Sequence, residues 1–232
     1  KGVLRIKKDA GSSRFDQALH IAAFEGSHDE VFDEWFETSG IKRRPAEPMA
    51  GYGSWYNHYD KINDDTISSD LEGAAGILER GDLFQIDDGW QVQVGDWDCN
   101  TERFPRGMKA SVDDIHNKGF KAGLWLAPFS AQCRSQLAKD HPDWLLKHKG
   151  KPWYAGCNWG GFFALDIDHP GVQDYLKRTF DKVFNEWGFD LVKLDFLYAV
   201  CLIPQLGKSR GQVMNEAMDF LRECVGDRLI LG

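Results

Sequence analysis

From residue 51 onward, short apolar runs alternate with helical stripes, and this alternation restricts the chain to a parallel sheet covered by helices. The strand-like runs are residues 51–56, 83–87, 122–127, 191–196 and 229–231. Between them, apolar positions recur at helical spacing. Leu71, Ala74, Ala75 and Leu78 form one stripe, with Ser69 and Glu72 as its expected capping box. Val172, Tyr175, Leu176, Phe180, Val183 and Trp187 form another, and Val213, Met214, Ala217, Leu221 and Cys224 a third. A weaker helix is expected from near Ser111 to Gly119. The strand-to-strand repeat of about 30–40 residues suits a (β/α) barrel, and an open doubly wound sheet fits as well. The connection over residues 129–169 is longer and rich in tryptophan, so it reads as an active-site loop. Ahead of the repeat, residues 1–26 read as strand-like or irregular. Ser27 and Glu30 then cap a helix bearing Val31, Phe32, Trp35 and Phe36, Gly40 ends it, and residues 42–48 form a linker.

A net charge of −8 argues against a nucleic-acid partner, because such partners are met by a concentrated basic face. No apolar run approaches the ~18 residues of a membrane span, so no membrane partner is expected. The five cysteines form no CxxC pair, and their odd number favours a reducing, cytoplasmic setting. The seven histidines show no HxxxH spacing, so neither zinc nor a cofactor is expected.

Function in either architecture lies at the carboxyl ends of the strands. There the sequence places Ser54-Trp55-Tyr56-Asn57-His58, Asp87-Asp88-Gly89-Trp90, Trp125, and Lys193-Leu194-Asp195. Of nine tryptophans, Trp55, Trp90, Trp97, Trp125, Trp144, Trp153 and Trp159 fall on strand ends or following loops. Aromatic faces beside carboxylates suit sugar rings, which have apolar C–H faces and polar edges. Lys193 and Asp195 are two apart and share one side of a strand. The pair reads either as a lysine keeping a nucleophilic carboxylate ionised or as a buried ion pair. Asp87 and Asp88 read as a grip on hydroxyls, with a divalent cation site or helix capping as alternatives. Asn57 and His58 either line the pocket or cap the first helix.

Taken as an ordered set, these segments resemble glycoside hydrolase family 36, the α-galactosidases of the melibiase clan. The segments are GYGSWYNHY, FQIDDGWQ, FPRGMK, GLWLAPF, HPDWLL, ALDIDHPGV, VKLDFLY and LILG, spread over residues 51–232. The resemblance implies an α/β fold, a (β/α)8 TIM barrel. Its first five strand–helix units would occupy residues 46–232, after residues 1–45 as the end of a β-sandwich domain and its joining helix. It implies that Asp195 is the catalytic nucleophile and that Lys193 contacts galactose hydroxyls. Asp87 and Asp88 would grip O4 and O6, and Trp55, Tyr56 and Trp125 would wall the subsite. The implied reaction is retaining hydrolysis of terminal α-galactosides such as melibiose or raffinose through a galactosyl-aspartate. Retention sets the two catalytic carboxyls about 5–5.5 Å apart.

Two differences from the family pattern stand out. Many bacterial relatives carry Glu-Pro-Glu where this chain has Ala127-Pro128-Phe129, and Arg-Asn where it has Cys157-Asn158. The acid/base aspartate of the family follows a sixth strand, whereas only five are read here. The chain alone is therefore expected to be inactive, and a homo-oligomer belongs, if anywhere, to the full-length enzyme. The alternatives are a galactosyltransferase of the raffinose-synthase type and a non-catalytic carbohydrate-binding fragment.

Overall fold

The computed structural model describes residues 22–41, 48–205 and 207–231 of the chain. The strand-like reading of residues 1–21 and nearly all of the 42–48 linker lie outside the described residues. The chain divides into two compact units. The smaller, residues 12–48, contains helix α1 (His28–Thr38), and the Ser27–Glu30 capping box is formed as expected. Along α1, the rings of Phe32, Trp35 and Phe36 touch one another.

The larger unit carries the alternating strands and helices. In chain order these are β1 (Gly51–Gly53), α2 (Trp55–His58), α3 (Asp64–Ala74), β2 (Leu83–Ile86), β3 (Gln91–Gln93) and β4 (Asp96–Cys99). Next come α4 (Gly107–Asn117), β5 (Lys121–Leu126), β6 (Ser130–Gln132), α5 (Gln136–Asp140), β7 (Lys147–His148) and β8 (Lys151–Pro152). The last are β9 (Tyr154–Gly156), β10 (Phe162–Ala164), α6 (Pro170–Asp181), β11 (Leu191–Leu194), α7 (Arg210–Val225) and β12 (Leu229–Leu231).

The main sheet is β1-β2-β5-β11-β12, with every neighbouring pair parallel. These strands follow one another in chain order, without the reversal that defines a doubly wound sheet. The unit is thus an α/β structure built on a parallel sheet. Each expected strand is present, but three are shorter than their apolar runs. The first stops at Gly53, because Ser54 turns the chain into α2.

Helices α3, α4, α6 and α7 each bury an apolar face; of the first stripe Leu71 and Ala74 are buried, whereas Ala75 is exposed and Leu78 lies beyond α3. Ile67, Leu71 and Ala74 are buried on α3, Met108, Val112 and Ile115 on α4, Val172, Leu176 and Phe180 on α6, and Val213, Ala217 and Leu221 on α7. Each of these side chains larger than alanine contributes about 1.5–3 kcal/mol of transfer free energy when fully buried, an upper bound because unfolded chains already bury some surface. Two helix starts differ from expectation. Asn63 and Thr66 form the capping box of α3, so the Ser69–Glu72 box falls inside the helix. Helix α4 begins at Gly107 rather than near Ser111. The long third connection is structured: β6, β10 and β9 form an antiparallel sheet, and β7 and β8 a hairpin.

Indoles pack in series through this unit. Trp187 meets Trp90 at 5.5 Å, Trp90 meets Trp97 at 6.0 Å, Trp97 meets Trp125 at 6.1 Å, and Trp125 meets Trp159 at 6.0 Å between ring centroids. Trp90 and Trp97 are core residues, not surface aromatics.

Candidate active site

Strand register brings the polar strand ends together. Ile86 pairs with Leu124 and Lys193 with Trp125, so Asp87, Trp125 and Lys193 stand at one level across three strands. Asp195 lies two residues above Lys193 on the same side. A cavity of about 140 Å³ opens at this level, lined by Trp55, Asp87, Asp88, Trp125, Asn158, Trp159, Lys193, Asp195 and Phe196. A space of roughly 150 Å³ holds a single six-membered ring.

Each carboxylate is pinned by donors from the protein. Asp87 Oδ2 accepts from Gln85 Nε2 at 2.6 Å and from Lys193 Nζ at 2.8 Å. Its Oδ1 accepts from the Asp88 N–H at 2.9 Å, and its own N–H donates to the buried Ser54 Oγ at 2.9 Å. Asp88 Oδ1 accepts from Gln91 Nε2 at 2.6 Å and Oδ2 from the Trp159 indole N–H at 2.7 Å. Burial pushes the Asp88 carboxyl above its usual range. The Gln91 and Trp159 donors oppose that rise, and the charges of Asp60 and Asp87 add to it. Asp195 Oδ1 accepts from the Phe196 N–H at 2.8 Å and Oδ2 from the Trp125 indole N–H at 3.2 Å. Pinned acceptors of this kind leave defined lone pairs for ligand hydroxyls.

Six of the seven residues singled out in the sequence meet here: Trp55, Asp87, Asp88, Trp125, Lys193 and Asp195. Tyr56 does not, being 93% exposed and absent from the cavity lining. The ion pair of Lys193 is with Asp87, 2.8 Å away, rather than with Asp195. Two-residue periodicity put lysine and aspartate on one side, but the long lysine stem reaches the deeper carboxylate. Asn57 and His58 neither line the cavity nor cap a helix through a shared role. Both contact Asp70, which also receives the Tyr52 hydroxyl, and this fixes α2 against α3. His141-Pro142-Asp143-Trp144 follows α5.

Sequence reasoning missed Gln85, Gln91, Asn158, Trp159 and Phe196 as site residues. Gln85 had a visible signal: a polar residue in the run Leu83-Phe84-Gln85-Ile86, two before Asp87 and hence on its side. Burial pushes the Cys99 and Cys133 thiols up, which makes them poor nucleophiles.

Gly89 sets the turn that aims the aspartates. Its φ is +115°, and a Cβ there would stand 2.4 Å from the Asp60 carbonyl oxygen. Arg103 Nη1 donates to both the Asp60 and Gly89 carbonyls, holding that approach. Gly89→Ala is expected to destabilise the protein by about 2 kcal/mol or more, read as a lowered urea midpoint. An unchanged midpoint would count against this account of the turn.

The melibiase family model matches residues 46–221. The chain belongs to the melibiase family. Among curated proteins, this melibiase chain is 27% identical over 202 residues to alpha-galactosidase Mel36A of Lactobacillus acidophilus, covering 83% of the chain and 25% of that protein. It is 29% identical over 208 residues to an alpha-galactosidase of Escherichia coli, covering 84% of the chain and 28% of that protein. The chain thus spans about a quarter of the length of these relatives. Among solved structures, it resembles an alpha-galactosidase from Thermus thermophilus in complex with p-nitrophenyl alpha-D-galactopyranoside. That likeness has a TM-score of 0.75 and 37% identity, covering 88% of this chain and 42% of the other. The same enzyme has also been solved in complex with stachyose.

Proposed function

We propose that this melibiase chain forms the galactose-gripping, nucleophile-bearing part of a retaining α-galactosidase. In this reading the five parallel strands are the first part of a (β/α)8 barrel. The substrates are terminal α-galactosides of the melibiose, raffinose and stachyose kind. One observation carries the proposal: Asp87, Asp88, Lys193 and Asp195 converge on a single cavity walled by Trp55, Trp125, Trp159 and Phe196.

The reaction follows from this arrangement. Asp87, Asp88 and Lys193 offer two charged acceptors and a cationic donor to the hydroxyls of one ring. Indole faces take its C–H surface. Asp195, held at both oxygens, attacks the anomeric carbon as the aglycone leaves, forming a galactosyl ester that water then cleaves. The described carboxylates of the cavity are thereby assigned, Asp87 to its ion pair and Asp88 to its two donors. In this reading the general acid lies outside the described residues. Without it the chain is expected to bind galactose with little turnover, since general acid help supplies about 10²–10⁴-fold of rate.

An activated fluoro-galactoside should label Asp195 in the complete enzyme, located by peptide mass mapping. Labelling of a different residue, together with full activity of Asp195→Ala, would sink the assignment. Product analysis at high acceptor concentration separates hydrolysis from galactosyl transfer: free galactose dominates in the first case.

A further inference from the structure

Two of the residues lining the cavity adopt left-handed backbone without being glycine. Trp159 has φ +56° and Phe196 φ +53°, and their rings lie 4.6 Å apart. Bulky residues rarely occupy this region, and those that do cluster at functional sites. The strain is held in place. Gln132 Nε2, on β6, donates to the Trp159 carbonyl at 2.8 Å, and the Gly161 N–H donates to the Asn158 carbonyl at 2.8 Å. Gly161 has φ +116°, and a Cβ there would lie 2.7 Å from the Tyr154 ring. The indole itself packs against Phe162 and edge-on to Trp125.

We propose that Trp159 is a specificity-determining residue, whose indole N–H fixes the Asp88 carboxylate for one arrangement of sugar hydroxyls. The inference rests on the galactosidase reading above and adds a residue to it. Gln91 and Trp159 bind different oxygens of Asp88, at 2.6 and 2.7 Å, and together stop the carboxylate from rotating. Each oxygen keeps one lone-pair direction for a ligand. A buried acceptor fixed in this way rejects a sugar that lacks the matching hydroxyl, because the acceptor is then left unpaired. If the carboxylate were free to turn, it could follow a wrong hydroxyl.

The same bond also favours the ionised carboxylate. The charged groups around Asp88 are Asp87 and Asp60, which disfavour its charge, and Lys193 and Asp195 on the same cavity. Loss of the indole N–H removes one of the two donors that oppose the effect of burial.

The test uses Trp159→Phe in the complete protein, with D-galactose, 4-deoxy-galactose and 6-deoxy-galactose as probes in titration calorimetry across mildly acidic to neutral pH. Losing one hydrogen bond to a charged group is expected to weaken galactose binding about tenfold to a hundredfold. The galactose-to-deoxy-galactose affinity ratio should shrink with it. The pH at which galactose affinity halves should rise, a shift that lost packing alone does not produce. Trp159→His restores a ring N–H and is expected to recover part of the ratio; it also serves if the phenylalanine variant fails to fold. A parent protein that does not bind galactose would overturn the galactosidase reading and this inference with it. A parent that binds, with the ratio and pH midpoint unchanged in both variants, would overturn this inference alone.

Discussion

Replacing Asp195 with alanine in the complete enzyme should lower kcat on p-nitrophenyl α-galactoside by at least about 10⁴-fold, the scale on which covalent enzymes lose rate without their nucleophile. KM should change far less, because the proposed function assigns the hydroxyl grip to Asp87, Asp88 and Lys193. The stereochemistry makes a sharper check. Azide entering the space left by the carboxylate attacks the anomeric carbon from the same face, and p-nitrophenolate leaves without needing a proton. The C–N bond forms as the C–O bond breaks, giving the β-galactosyl azide, with inversion in a single step. An α-azide product, or rescue by azide with no azide incorporated, would remove Asp195 from the nucleophile's position. The geometry that motivates this is the double anchoring of Asp195 by the Phe196 N–H and the Trp125 indole.

The second large effect is expected at Lys193. Its ammonium lies 2.8 Å from Asp87, whose side chain is only 3% exposed. Lys193→Met leaves that carboxylate buried with neutral donors alone, Gln85 Nε2 and the Asp88 N–H. Removing one partner of a buried pair is expected to cost about 3 kcal/mol, the lower end of the known range because Lys193 is itself partly exposed. Urea denaturation should show the loss, and the double variant Lys193→Met/Asp87→Asn should regain most of it. A double variant no more stable than Lys193→Met would mean that the ion pair is not what holds this level of the sheet. Galactose binding should be lost in both variants, so stability and recognition separate in the double variant.

Much of this was legible in the sequence, for physical reasons specific to each element. Buried parallel strands are apolar throughout, so the runs containing Phe84, Leu124 and Val192 stood out. The stripes of α6 and α7 were equally plain, and in the structure these helices start at Pro170 and after the Ser209 cap. Three features were hidden. The Asn63–Thr66 box uses two short polar side chains where the more familiar Ser69–Glu72 pattern competes from inside the helix. The antiparallel sheet of β6, β9 and β10 has strands of three residues, too short for alternation to register. The partner of Lys193 depended on the order of three strands, which no local pattern encodes. The same holds for Trp159: its place on Asp88 arises from a contact spanning 71 residues of sequence.

The series of indoles from Trp187 to Trp159 also has an optical consequence. Neighbouring rings 5.5–6.1 Å apart exchange excitation far faster than any of them emits. Light absorbed by any indole of the series is therefore shared among all of them, including Trp125 and Trp159, which touch carboxylates. A sugar seated there alters the fluorescence of the whole series rather than of one ring, giving the protein a built-in optical reporter of occupancy.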